Sequence, residues 1–178
     1  ELSPLVRLSV QFLLALIFCT SVVSAPDSLI ADWQVWHWLV TAPVAALAIA
    51  WMINLYNFMD GADGYAVSQA FLVAGSGAVI SGIFGAADLM MLAISVAGAA
   101  AGFLVWNWQP ARIFMGDVGS YFLGFQFAAL IIYSFDTGHG AWMWLILLVP
   151  FIVDASLTLG LRVIQRKRWW QAHRSHLY

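Results

Sequence analysis

The chain has 178 residues, 63% of them hydrophobic and 9% charged, with ten tryptophans, a mean hydropathy of +0.87 and a formal net charge of −2. A water-exposed domain of this size needs far more surface charge, so a soluble globular fold is excluded and membrane helices are expected. The slight negative charge and the lack of a long basic run exclude a nucleic-acid partner, and the single cysteine, Cys19, excludes an internal disulfide.

Six hydrophobic runs follow one another: Leu5–Ser24, Leu39–Leu55, Ala66–Ala86, Leu89–Trp108, Ser120–Phe135 and Trp142–Leu161. Each approaches the ~20 residues that cross a bilayer, the second and fifth being short. Isolated apolar runs must pair their backbone groups internally, so each is predicted to be a helix. The expected fold is therefore all-α: one polytopic membrane domain over residues 1–178 with six transmembrane helices. Cys19, inside the first run, reads as a small apolar packing residue. Gly75, Ser76 and Gly77 in the third run, and Gly98 to Gly102 in the fourth, suit close helix contacts.

The connections alternate in charge. Asp27, Asp32, Asp88 and Asp136 fall on one side, whereas Arg7, Arg112, Arg162, Arg166, Lys167, Arg168 and Arg174, all seven Lys and Arg, fall on the other. Cytoplasmic segments carry the excess of Lys and Arg, so the second side is expected to be cytoplasmic. Trp33, Trp36, Trp38, Trp142 and Trp144 are expected at the outer interface, and Trp51, Trp106, Trp108, Trp169 and Trp170 at the inner one.

Polar chemistry collects in the cytoplasmic segments 55–66, 108–120 and 162–178. In "NLYNFMDGADGYA", Asn54, Asn57, Asp60 and Asp63 recur at every third position, an oxygen-bearing stripe if the segment is helical. Oxygen donors suit a hard cation such as Mg²⁺. The competing reading is two Asp-Gly turns that cap the next helix. An EF-hand is excluded, since its twelfth-position glutamate is absent. In "MGDVGS", Gly116 and Gly119 flank Asp117, and Ser120 is expected to open a helix whose N-terminus attracts phosphate. The alternative is an ordinary N-cap turn. Phe114 either anchors in the membrane or stacks on a base. In the tail, His173, Arg174 and His176 either bind phosphate or simply face lipid head groups. Two histidines with no third soft ligand do not make a zinc site. Asp154, about two turns inside the last run, is costly in a membrane and is expected to have a role or a buried partner such as Arg162. A membrane transporter or channel is the main rival function, although its site is expected at the midplane rather than at one interface.

Taken together, Asn54-x-x-Asn57-x-x-Asp60-Gly-x-Asp63-Gly, "PARIFMGDVGSYFLG", "PFIVDASLTLGLR" and "AHRSH" resemble the bacterial polyprenyl-phosphate N-acetylhexosamine-1-phosphate transferases, from Leu2 to the end of the chain. The resemblance implies transfer of a sugar-1-phosphate from a UDP-N-acetylhexosamine to undecaprenyl phosphate, with UMP released. It implies a multi-pass protein of the bacterial inner membrane with its site facing the cytoplasm, Mg²⁺ (or Mn²⁺) as cofactor, and a homodimer as one assembly. By the same resemblance Asp117 binds the metal, joined by Asn57. Asp60, Asn57 and Asp117 form the catalytic group, and Asp63 and Phe114 hold uracil. Asp60 and Gly116 line the nucleotide pocket and Asn54 is a further substrate-binding residue, while His173, Arg174 and His176 match a basic loop at the diphosphate or sugar. Family members carry an Asp-Asp pair just before the segment matching Leu2 to Arg7, which this chain lacks. The chain is thus expected to be part of a longer protein with about ten spans. "WNWQPARIFMGDVGSYFLG" and "WWQAHRSHLY" look more like the enzymes that initiate O-antigen and lipopolysaccharide than the pentapeptide transferases, which usually end in a histidine triplet.

Overall fold

The computed structural model describes residues 3–22 and 32–164. Those residues form six α-helices and no strand: α1 (Pro4–Val22), α2 (Asp32–Met59), α3 (Tyr65–Ile83), α4 (Ala87–Asn107), α5 (Gly116–Asp136) and α6 (Ala141–Ile164). Each contains a stretch long and apolar enough to cross a membrane.

Two helix ends depart from the hydropathy pattern, and both bear on the site. α2 has 28 residues and continues through Met59, past the end of its apolar run at Leu55. α5 begins at Gly116 rather than at Ser120. Hydropathy reports which solvent a side chain prefers, whereas a helix needs only an unbroken chain of backbone bonds. The polar residues at these ends stay helical because their side chains find partners on neighbouring helices.

α2 is the hub of the bundle, packing against α1, α3, α5 and α6. α3 and α4 form a hairpin, and α6 closes against α3 and α5. The core around α2 is dense: Ile49, Leu55, Tyr56, Met59, Phe127, Trp144, Leu148 and Phe151 are all fully buried. Tyr56 stacks on Phe127 at 5.5 Å between ring centroids and leans on Phe151 at 5.2 Å. α5 reaches α2 through Gly124, where a Cβ would lie 2.6 Å from the Ile53 Cα and the Met52 carbonyl oxygen. Such small residues let membrane helices meet backbone to backbone.

Trp144 corrects an expectation. It does not sit at an interface but in the core, where its Nε1–H donates to Ser134 Oγ at 2.9 Å. Gly77 makes the room, since a Cβ there would lie 2.3 Å from the indole. Indole carries a large apolar face and one donor, so a buried site with one acceptor suits it as well as a membrane surface does. Trp51, Trp106, Trp108 and Trp142 are exposed. The side chains of Trp33, Trp36, Trp38, Trp169 and Trp170 lie outside the described residues.

Candidate active site

One end of the bundle gathers the C-terminus of α2, the turn 60–64, the last residue of α4, the connection 108–115, the first turn of α5 and the start of α1. Between them lies a cavity of about 770 Å³, within the size range of small-molecule sites. Arg7, Asn54, Asn57, Asp60, Asp63, Asn107, Phe114, Gly116 and Asp117 are among the residues that line it. Leu5, Leu8, Leu47 and Trp51 extend it along α1 and α2.

Asp117 is the second residue of α5, so its carboxylate sits at the positive end of the helix dipole. Asn57, across the cavity on α2, donates from Nδ2 to Asp117 Oδ1 at 2.9 Å and to Ser120 Oγ at 3.1 Å. Ser120 is fully buried and its hydroxyl donates to the Gly116 carbonyl at 3.0 Å, one turn back along the helix. The second Asp117 oxygen, Oδ2, faces Arg7 Nη1 at 3.6 Å. Both partners of that ion pair are well exposed, so it contributes little to stability. Its interest is positional, because it brings a cation from α1 to the same carboxylate.

Asp60 follows directly on α2 and is half-buried. Burial pushes its carboxyl up to about 6, the Gly116 backbone N–H pulls it back, and the charge of Asp117 pushes it up again. Asp63 is exposed, and its Oδ2 accepts the Ala111 N–H at 2.9 Å. Asn54 donates from Nδ2 to Gln11 Oε1 and to the Ala50 carbonyl, both at 2.7 Å, and so knits α1 to α2. The four-residue stripe is therefore broken up. Asn54 and Asn57 ride on α2, whose end at Met59 puts Asp60 and Asp63 in the turn, and the four side chains find different partners. They nonetheless line one cavity.

Phe114 is 74% exposed at the mouth. Gly116 opens α5 with φ +62°, a backbone state that L side chains rarely adopt. His173, Arg174 and His176 lie outside the described residues, as does the side chain of Arg162. Asp154 is buried on α6, where Thr158 Oγ1 donates to its Oδ1 at 3.5 Å. It is not among the residues lining the cavity, to which α6 contributes Leu159.

Three residues of this end escape a reading by motif. Arg7 reads as a topology charge, Ser120 as a helix opener, and Asn107 as part of the apolar run Leu89–Trp108. In sequence, Asn107 gives one signal: an amide closing an apolar run, immediately before Trp108 and "QP".

Among the described residues, no three His, Cys, Asp or Glu side chains come together as a metal site. Two neighbouring carboxylates, Asp60 and Asp117, and an amide on Asp117 do occur. That donor set fits Mg²⁺, which takes one or two carboxylates and leaves its other positions to water and phosphate. It does not fit a soft metal. The Asn57 amide presents nitrogen, not oxygen, to Asp117, so it orients that carboxylate here and becomes a ligand only when turned.

A family model described as glycosyl transferase family 4 matches residues 1–135. The phospho-N-acetylmuramoyl-pentapeptide-transferase of Moorella thermoacetica is 39% identical over 92 residues, 50% of this chain and 29% of that protein. That of Lactiplantibacillus plantarum is 37% identical over 115 residues, 63% of this chain and 35% of that protein. That of Thermosynechococcus vestitus is 32% identical over 176 residues, 93% of this chain and 43% of that protein. The chain spans less than half the length of these relatives. With most of its residues covered by the family model, the chain belongs to glycosyl transferase family 4.

Proposed function

We propose that the whole protein transfers an N-acetylhexosamine-1-phosphate from a UDP-sugar to undecaprenyl phosphate, at the cytoplasmic face of a bacterial inner membrane. A phosphate oxygen of the lipid forms a bond to the sugar-bearing phosphorus. The bridging P–O bond breaks, and UMP leaves with its electron pair. The observation that carries this reading is a single cavity of mixed character. Asp60, Asp63, Asp117 and Arg7 line it together with Leu5, Leu8, Leu47 and Trp51. A soluble dianion and a membrane lipid need such a place to meet. The sidedness is supported by Arg7 and Arg112, which lie at the cavity end, while Asp88 and Asp136 lie at the other.

Transfer between two anions needs positive charge. When bound, Mg²⁺, or Mn²⁺ on the same donors, would offset the charge of the reacting phosphates. Asp117 would hold it, oriented by Asn57, which Ser120 in turn holds in place. Arg7 supplies a second cation beside Asp117 and would meet a phosphate. Asp60 adds negative charge to the cation site when ionised. Asp63 keeps one oxygen on the Ala111 N–H and has the other available to a uracil N–H, while Phe114 offers its ring face. Gly116, with no side chain, lets a nucleotide approach the backbone, and Asn54 lines the wall beside it. The tail residues His173, Arg174 and His176 would add positive charge at the diphosphate.

The likeness of "WNWQPARIFMGDVGSYFLG" and "WWQAHRSHLY" to the initiating enzymes favours an O-antigen or lipopolysaccharide-initiating role. The names of the relatives favour the second reading, a pentapeptide-bearing donor. One experiment tests the class and separates the two. UMP release by the whole protein in detergent is followed with undecaprenyl phosphate, Mg²⁺ and a donor panel of UDP-GlcNAc, UDP-GalNAc, a UDP-6-deoxy-N-acetylhexosamine and UDP-N-acetylmuramoyl-pentapeptide. Release that requires lipid and metal and is lost in Asp117→Asn is expected, and the donor that reacts names the branch. No release with any donor overturns the reading.

A further inference from the structure

Outside the cavity, the connection between α4 and α5 carries an exposed patch that a loop lying in water does not need. Trp106 is 49% exposed, Trp108 62% and Ile113 48%, and Arg112 beside them is exposed as well. None of the four lines the cavity. The backbone gathers them. The Arg112 and Ile113 N–H groups both donate to the Trp106 carbonyl, at 2.9 and 3.2 Å, and the Ile113 carbonyl accepts Asn107 Nδ2 at 2.9 Å. The connection is thereby folded back on the last turn of α4 instead of running straight into water.

That turn closes a span of membrane length, which ends at Asn107. The patch therefore sits where hydrocarbon gives way to head groups. Val105, one residue before it on the span, is 75% exposed, so apolar surface runs on from the helix into the connection. Indole and aliphatic side chains are better placed at that boundary than in water. The guanidinium has the opposite need. Among the described residues no carboxylate forms an ion pair with Arg112, and Asp63 is tied to the neighbouring Ala111 N–H instead. An uncompensated cation beside apolar surface, at the edge of a bilayer, is complementary to a lipid with a negative head group.

We propose that this patch seats an anionic phospholipid, with Arg112 on the head-group phosphate and Trp106, Trp108 and Ile113 against the start of the acyl chains. The site is separate from the cavity and does not depend on the nucleotide reading. A lipid held there ties the α4–α5 connection to the membrane surface.

The test uses the whole protein. It is stripped of lipid in detergent, and native mass spectrometry then measures how much phosphatidylglycerol and phosphatidylcholine it retains. Arg112→Gln is expected to lower the wild type's preference for phosphatidylglycerol by about fivefold, and Arg112→Lys to keep most of it. Trp108→Ala is expected to weaken retention of both lipids alike, since it removes apolar contact and no charge. Quenching by bromine-labelled phospholipid in nanodiscs then locates the patch. Trp108→Phe is expected to remove more of the quenchable emission than Trp144→Phe, because Trp144 is fully buried in the core. An unchanged lipid preference in Arg112→Gln overturns the proposal. So does Trp108 emission that the brominated lipid leaves unquenched, since the patch then faces water or is covered by another segment of the whole protein.

Discussion

The two ends of the helix bundle are built differently. At the end away from the cavity, the two described turns are closed chiefly by their own backbone: Gly85 N–H bonds to the Gly82 carbonyl, Ala86 to Ser81, Gly138 to Phe135 and His139 to Ser134. Gly85, Gly138 and Gly140 there take positive φ, as tight turns demand. At the cavity end, side chains distant in sequence bind each other and the turns: Asn57 to Asp117, Asp63 to Ala111, and Asn107 to both connections. Local closure only has to return the chain to the membrane. Long-range ties fix side chains relative to one another, which is what the proposed two-substrate site would require.

Breaking the tied end at its centre has the largest effect. Asp117→Asn keeps the shape and removes the charge at the start of α5. UMP release by the whole protein is expected to fall by about 100- to 1,000-fold, because the cation proposed to offset the transition-state charge loses its carboxylate. Next is Asn57→Ala, which leaves the carboxylate but removes the amide that orients it. A loss of about 10- to 100-fold is expected in a Mg²⁺ titration of activity, the usual cost of losing a metal ligand's orienting partner.

The raised Asp60 carboxyl gives a smaller, pH-dependent effect. The folded protein holds this proton up to about 6, against a reference value of 3.8. The folded state thus binds more protons than the unfolded state between those values, and stability declines as pH rises across that window. Thermal melting of the wild type in detergent is expected to show this decline, and Asp60→Asn to flatten it. The smallest effect belongs at the opposite end. Gly138→Ala strains a turn at φ +72° and is expected to cost about 1 kcal/mol of stability. UMP release per folded molecule should not change. A Gly138→Ala variant with impaired turnover would mean that the two ends are coupled.

The residues that sequence alone could not place are those whose partners lie far along the chain. Asn54, Asn57, Asp60 and Asp63 are visible as a spaced set, and the spacing invites a single stripe. The structure ends α2 at Met59 and distributes the four among Gln11, Asp117, Gly116 and Ala111. Trp144 and Trp142, two residues apart, look alike in sequence, yet one is buried and the other exposed. The choice depends on Gly77 and Ser134, on two other helices.

What the sequence determined by itself is the count and class of elements. Apolar runs of membrane length must be helical, because a lone strand cannot satisfy its backbone in lipid. The polar clustering at one end is also a property of the string, since connections alternate between the two ends of antiparallel helices. Only the tertiary structure decided which polar groups face each other. Arg7 and Asp117 are 110 residues apart in the chain and 3.6 Å apart in space. Their meeting depends on how α1 and α5 each pack against α2, with Gly124 admitting one backbone to the other. Periodicity along a single helix carries no information about that packing.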